Sequence, residues 1–97
     1  MAALDDLLKE EYDRLIRVKL AMEKEVSELP EGYLSEKKIN GKVYYYIQRR
    51  DGNKVKSQYV AEKDINYIRR QIERRKQIEQ SIKEIKKSIK KMERVLS

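Results

Sequence analysis

Ile78, Ile82, Ile85, Ile89, Met92 and Leu96 follow one another at spacings of four, three, four, three and four residues. That alternation holds an apolar stripe on one side of an α-helix, and it is the seam of a coiled coil. Such a stripe needs a second helix to cover it. A second stretch without glycine or proline precedes it, with Leu4, Leu7, Leu8, Leu15, Ile16, Met22, Val26 and Leu29 at helical spacings. Asp5 and Asp6 stand in its first turn, where carboxylates favour the helix dipole. Pro30 disfavours helical geometry at Leu29, and Gly32 follows, so this helix is expected over about 4–29. It covers the seam by folding back antiparallel; a homodimer through the C-terminal helix is the other solution.

Between the two helices the periodicity changes. Asn40–Gly41 is a strong hairpin signal, because both residues tolerate the positive φ of a type I′ turn. Asp51–Gly52–Asn53 offers a second reversal, read most simply as a three-residue loop with a bulge; a two-residue loop would flip the third strand and move Lys54 and Lys56 to the opposite face. Three antiparallel strands are predicted over about 33–39, 42–50 and 54–60. A long helix follows over about 62–96, with Ile65, Ile68 and Ile72 as a first short stripe. A six-residue step from Ile72 to Ile78 breaks the phase, which suggests that the helix leaves the sheet there and enters the helical hairpin. The fold class expected is α+β: a long N-terminal helix, a three-stranded antiparallel sheet and a long C-terminal helix, the helices paired as an antiparallel coiled coil. Residues 1–97 are read as one domain.

Composition narrows the chemistry. The 97 residues are 42% charged, with seven tyrosines, no tryptophan, no phenylalanine, no cysteine and no histidine. Disulfides and thiolate metal sites are excluded, and the commonest general base is missing. No glycine-rich phosphate loop or nucleophile elbow is present. Asp5, Asp6, Glu10, Glu11 and Asp13 are explained by the helix dipole and solubility. The chain reads as a non-enzyme without cofactor or metal. No apolar run approaches the ~18 residues that span a bilayer, and MAALDDLLKEEYDRL does not resemble a signal peptide. No membrane association and a soluble, cytoplasmic protein are therefore expected.

The net charge of +7 is uneven. Residues 1–29 carry five Lys/Arg against eight Asp/Glu, residues 30–60 seven against three, and residues 61–97 twelve against six. An acidic first segment before a basic remainder suggests a polyanionic partner.

Register converts this charge into a surface. A two-residue turn at Asn40–Gly41 sets Ile39 opposite Lys42, and strand side chains alternate between faces. Leu34, Val43, Tyr45 and Ile47 fall on one face, joined under the three-residue loop by Val55 and Tyr59; this face is expected to be buried. The other collects Lys37, Lys42, Tyr44, Tyr46, Gln48, Arg50, Lys54 and Lys56. Tyrosines among lysine, arginine and glutamine suit nucleic acid, since rings stack on bases while cations meet phosphates. They equally suit a sheet surface on which rings cover lysine stems. Arg69, Arg70 and Arg74 add a basic helix segment, alternatively a solvated face paired with Glu73 and Glu79. Lys83, Lys86, Lys87, Lys90 and Lys91 fit the ordinary flanks of a coiled-coil seam.

The stretch GYLSEKKINGKVYYYIQRRDGNKVKSQYV, residues 32–60, resembles the three-stranded DNA-binding modules that precede the catalytic domain of mobile-element tyrosine recombinases. The resemblance implies DNA contacts from the strands, at Lys42, Tyr44, Tyr46, Gln48, Lys54 and Lys56. The long preceding helix, the coiled-coil continuation and the missing recombinase domain depart from that pattern. The chain is also similar to short uncharacterised bacterial and mobile-element proteins with LPEGYLSEKKINGKVYYY-like segments, which imply no activity. Three functions compete: binding nucleic acid through the sheet face and basic helix; inhibiting a nucleic-acid-handling complex, as phage anti-CRISPR proteins do; and dimerising as a structural coiled coil. The partner expected is nucleic acid or a nucleoprotein complex.

Overall fold

The computed structural model describes residues 2–97, with side chains from Leu4 onward. Helix α1 (Ala2–Ser27) leads to strands β1 (Tyr33–Ile39), β2 (Lys42–Asp51) and β3 (Lys54–Val60), then a 3-10 turn (Glu62–Asp64) and helix α2 (Ile65–Leu96). The architecture is α+β, as expected. Contacts gather the residues into two compact units, one formed by α1 through Glu28 with Gln77–Ser97, the other by Leu29–Lys76. The boundary between Lys76 and Gln77 falls inside the six-residue step between Ile72 and Ile78. Where the hydrophobic phase slips, α2 changes what it covers. Among the described residues no helix is long and apolar enough to cross a membrane.

In the helical unit α1 and the second part of α2 pair antiparallel. Leu15 of α1 and Ile78, Ile82 and Ile89 of α2 are buried, so the seam is occupied within the chain. Ile85 and Met92 are half-buried. The Tyr12 hydroxyl donates to Glu93 Oε2 at 3.5 Å, the outer limit of a hydrogen bond. Partial desolvation, followed by the Glu93 carboxylate, raises the Tyr12 phenol above its usual value. The end of the pair departs from expectation, since Leu4 and Leu7 are 64% and 62% exposed and Leu96 is exposed too. Two helices share one narrow stripe, and at this end the leucines lie beyond what it covers. On the α1 surface Arg14 grips Glu11 through Nε (2.9 Å) and a terminal nitrogen (2.6 Å), a solvated pair of small energetic weight.

The sheet unit is an antiparallel meander in the order β1-β2-β3. Asn40 (φ 51°) and Gly41 (φ 80°) form the expected turn, and Ile39 pairs with Lys42. Gly32 (φ 102°) is required for a second reason. A Cβ there would stand 2.1 Å from the Gln48 carbonyl oxygen of β2. The second reversal differs from the three-residue loop read in the sequence. Asp51 pairs with Lys54, leaving a two-residue turn of Gly52 and Asn53. Gly52 has φ 63°, while Asn40 is the only non-glycine residue with positive φ among those described. Positive φ at the first central position alone is the type II′ pattern, and glycine there is what that turn demands.

One residue fewer in the loop reverses β3. Lys54, Lys56, Gln58 and Val60 share the inner face with Val43, Tyr45, Ile47 and Arg49, while Val55, Ser57 and Tyr59 join Tyr44 and Tyr46 on the outer one. A solvent-exposed Asp51–Lys56 ion pair (2.7 Å) on the inner face and a Gln48–Ser57 hydrogen bond (3.2 Å) on the outer one fit this register. Inside, Val60 is buried, and Ile47 and Val60 border a cleft with Pro30 and Ile68. The first turns of α2 thus lie on the inner face, with Ile65 and Ile72 buried. Val43 and Val55, expected in the core, are 45% and 58% exposed.

Arg75 fastens the unit. It donates to the Leu29 carbonyl at 2.7 Å, and its guanidinium lies 3.6 Å from Glu31, with a side chain only 17% exposed. The connection entering β1 is thereby held to α2. A charge-assisted hydrogen bond this well shielded leads us to expect that Arg75→Ala lowers stability by about 1–2 kcal/mol in urea unfolding, with partial recovery in Arg75→Lys. Gly32→Ala should cost more than about 2 kcal/mol in the same assay, from the positive φ and the steric overlap together.

Candidate nucleic-acid interface

The outer face is built around Tyr46 in the middle strand. Ser35 of β1 and Tyr59 of β3 stand opposite it, Lys37 stands opposite Tyr44, and Tyr33 and Ser57 flank Gln48. The Tyr59 ring packs against both neighbours, with centroids 6.5 Å from Tyr44 at 52° and 5.9 Å from Tyr46 at 70°. These tilted and edge-on arrangements are favoured by the ring quadrupole. Lys37 Nζ lies 5.1 Å from the Tyr46 centroid, a cation–π contact. Ser35 Oγ is buried without a hydrogen-bond partner.

Tyr44 and Tyr46 are half-buried, while Tyr33 and Tyr59 are more than half exposed. The face therefore offers aromatic surface to solvent. Its charges are Lys37, Lys42 and Arg50, and none of its residues from 33 to 59 is a carboxylate. Glu36 and Asp51 point to the inner face by the same alternation.

Six residues selected from the sequence meet here: Lys37, Lys42, Tyr44, Tyr46, Gln48 and Arg50. Lys54 and Lys56 do not. The shortened turn sends them to the opposite face, where both stay exposed and Lys56 pairs with Asp51. Arg69 borders a cleft together with Lys42, Tyr44 and Tyr59, so α2 brings one of its arginines to the tyrosines. Arg70 and Arg74 belong to α2, and neither lines that cleft. Tyr59 is the residue that sequence reasoning missed. The signal was available, because Gly52 directly before Asn53 also spells a two-residue hairpin turn.

Among the described residues no three Asp or Glu side chains gather as a metal site. The profile of one protein family, DUF6788, described as a domain of unknown function, matches residues 5–70. That span is more than half of the chain; it contains the whole outer face and stops before the Ile78–Leu96 seam. No curated protein and no solved structure matches the chain.

The register has a direct spectroscopic consequence. Nuclear Overhauser effects are expected between the Tyr46 and Tyr59 rings, and between Gln48 and Ser57. Cross-peaks linking Tyr59 to Tyr45 instead, with none to Tyr46, would restore the three-residue loop.

Proposed function

We propose that the chain, which belongs to the DUF6788 family, is a small cytoplasmic protein that binds nucleic acid through the outer face of its sheet. One observation carries the reading: Tyr44 and Tyr46, both packed on Tyr59, share an open face with three cations and no carboxylate. Each element has a role in such binding. Aromatic rings accept bases at about 1–3 kcal/mol per stacked base. Lys37, Lys42 and Arg50 neutralise phosphates and release counterions. Arg69, at the rim, extends the cationic path toward α2. The protein acts by binding and positioning rather than by catalysis, as a chain with neither histidine nor cysteine suggests.

Fluorescence anisotropy of labelled oligonucleotides at increasing KCl tests this. Affinity should fall steeply with salt. Replacing Lys37, Lys42 and Arg50 together by alanine should flatten the log–log slope by about 0.7–0.9 for each phosphate that is no longer neutralised. The Lys54→Ala/Lys56→Ala pair, on the inner face, should change the slope less. Tyr59→Ala should weaken binding about five- to one-hundred-fold. No measurable binding at low salt, or an inner-face pair as damaging as the outer triple, would overturn the assignment.

A further inference from the structure

β3 ends at Val60, opposite Tyr45, but β2 begins three residues earlier at Lys42. Lys42, Val43 and Tyr44 are thus paired with β1 on one side and have no strand on the other. The chain turns away into the 3-10 turn and α2, leaving an open cleft of about 790 Å³ at the notch. Among the residues that line it, Tyr44 and Tyr59 belong to the sheet, Glu62 and Asn66 to the turn and the helix, and Lys42 and Arg69 add two cations, with apolar side chains such as Val43 and Ile65 between them. A cleft of this volume is in the range that holds a small ligand or a single nucleotide.

The lining has a specific chemistry. Aromatic rings suit the faces of a base, and two cations suit the phosphate attached to it. Glu62 restricts the choice further, because an ionised carboxylate only accepts hydrogen bonds. It fits the exocyclic amino group of cytosine, adenine or guanine. Thymine and uracil set carbonyl oxygens on both sides of their one ring N–H and repel it. Asn66 both donates and accepts, so it serves any of the amino-bearing bases. A base enters such a notch only with its face and pairing edge free.

We infer that the notch beside Lys42–Tyr44 receives one unpaired, amino-bearing base, which makes this a protein for single-stranded nucleic acid with a bias against thymine and uracil. The inference rests on the nucleic-acid reading of the outer face and adds its substrate class. The strand lies along the tyrosines and ends, or bends, where Glu62 meets the base. A duplex keeps its pairing edges occupied and cannot use the site.

Anisotropy with oligo-deoxycytidine, oligo-thymidine and a duplex of equal length, each against the full chain, tests it. Oligo-deoxycytidine should bind about five-fold or more tighter than oligo-thymidine, and tighter than the duplex, as one good base contact predicts. Glu62→Gln should bring the two single strands together without weakening binding overall, since the amide donates as well as accepts. Arg69→Ala should weaken both single strands and leave their ratio unchanged. Equal binding of the two single strands with a silent Glu62→Gln variant would overturn the inference while the outer-face reading survives. So would a duplex that binds as tightly as oligo-deoxycytidine. Absence of all nucleic-acid binding at low salt would remove both, and would point to an extended peptide pairing with the open edge of β2.

Discussion

Pairing Asp51 with Lys54 leaves two residues for the turn, and that parity decides the chemistry of both faces of the sheet. Side chains alternate along a strand, so inserting or deleting one loop residue moves every β3 side chain to the opposite face. With Gly52 supplying the positive φ, Tyr59 comes to Tyr44 and Tyr46, and the lysines at 54 and 56 go to the opposite face beside Asp51. The outer face gains a ring and loses two cations. What remains is an aromatic surface with sparse, well-spaced positive charge, better matched to exposed bases than to a phosphate backbone alone.

The rest of the fold keeps that sheet in place with little buried material. Val60, Ile65 and Ile72 are the buried apolar residues of the sheet unit. A core this small leaves polar ties unusually important. Arg75 is one, holding the Leu29–Glu31 connection while also belonging to a run of basic residues that looks like a polyanion site in sequence. Its shielded position and carbonyl partner identify it as structural. The helical unit has its own seam, in which α1 supplies what Ile78, Ile82 and Ile89 need.

Much of this was legible in the residues. The four-three alternation announced the seam, the slip from Ile72 to Ile78 marked where α2 passes from one unit to the other, and Asn40–Gly41 fixed the first hairpin. Those signals are local and leave one geometry open. Asp51–Gly52–Asn53 left two, because glycine serves as the αL residue of a longer loop or as the first central residue of a II′ turn. The choice between them lies in strand pairing, which no local pattern records, and the longer loop puts Tyr59, Lys54 and Lys56 on the wrong faces. Leu4, Leu7, Val43 and Val55 have the spacing of core residues. Whether an element reaches far enough to cover them is a tertiary matter. The notch at Lys42 was invisible for the same reason, since it arises where one strand stops before its neighbour.

The central claim is that the tyrosine face of the sheet, and not the lysine-rich end of α2, meets nucleic acid. An NMR titration of the labelled protein with oligo-deoxycytidine addresses it in one experiment. Shifts concentrated at Lys37, Tyr44, Tyr46, Tyr59 and Arg69, with α1 and residues 83–91 nearly unmoved, are the predicted result. Shifts confined to Lys83, Lys86, Lys87, Lys90 and Lys91, with the sheet unmoved, would contradict the account.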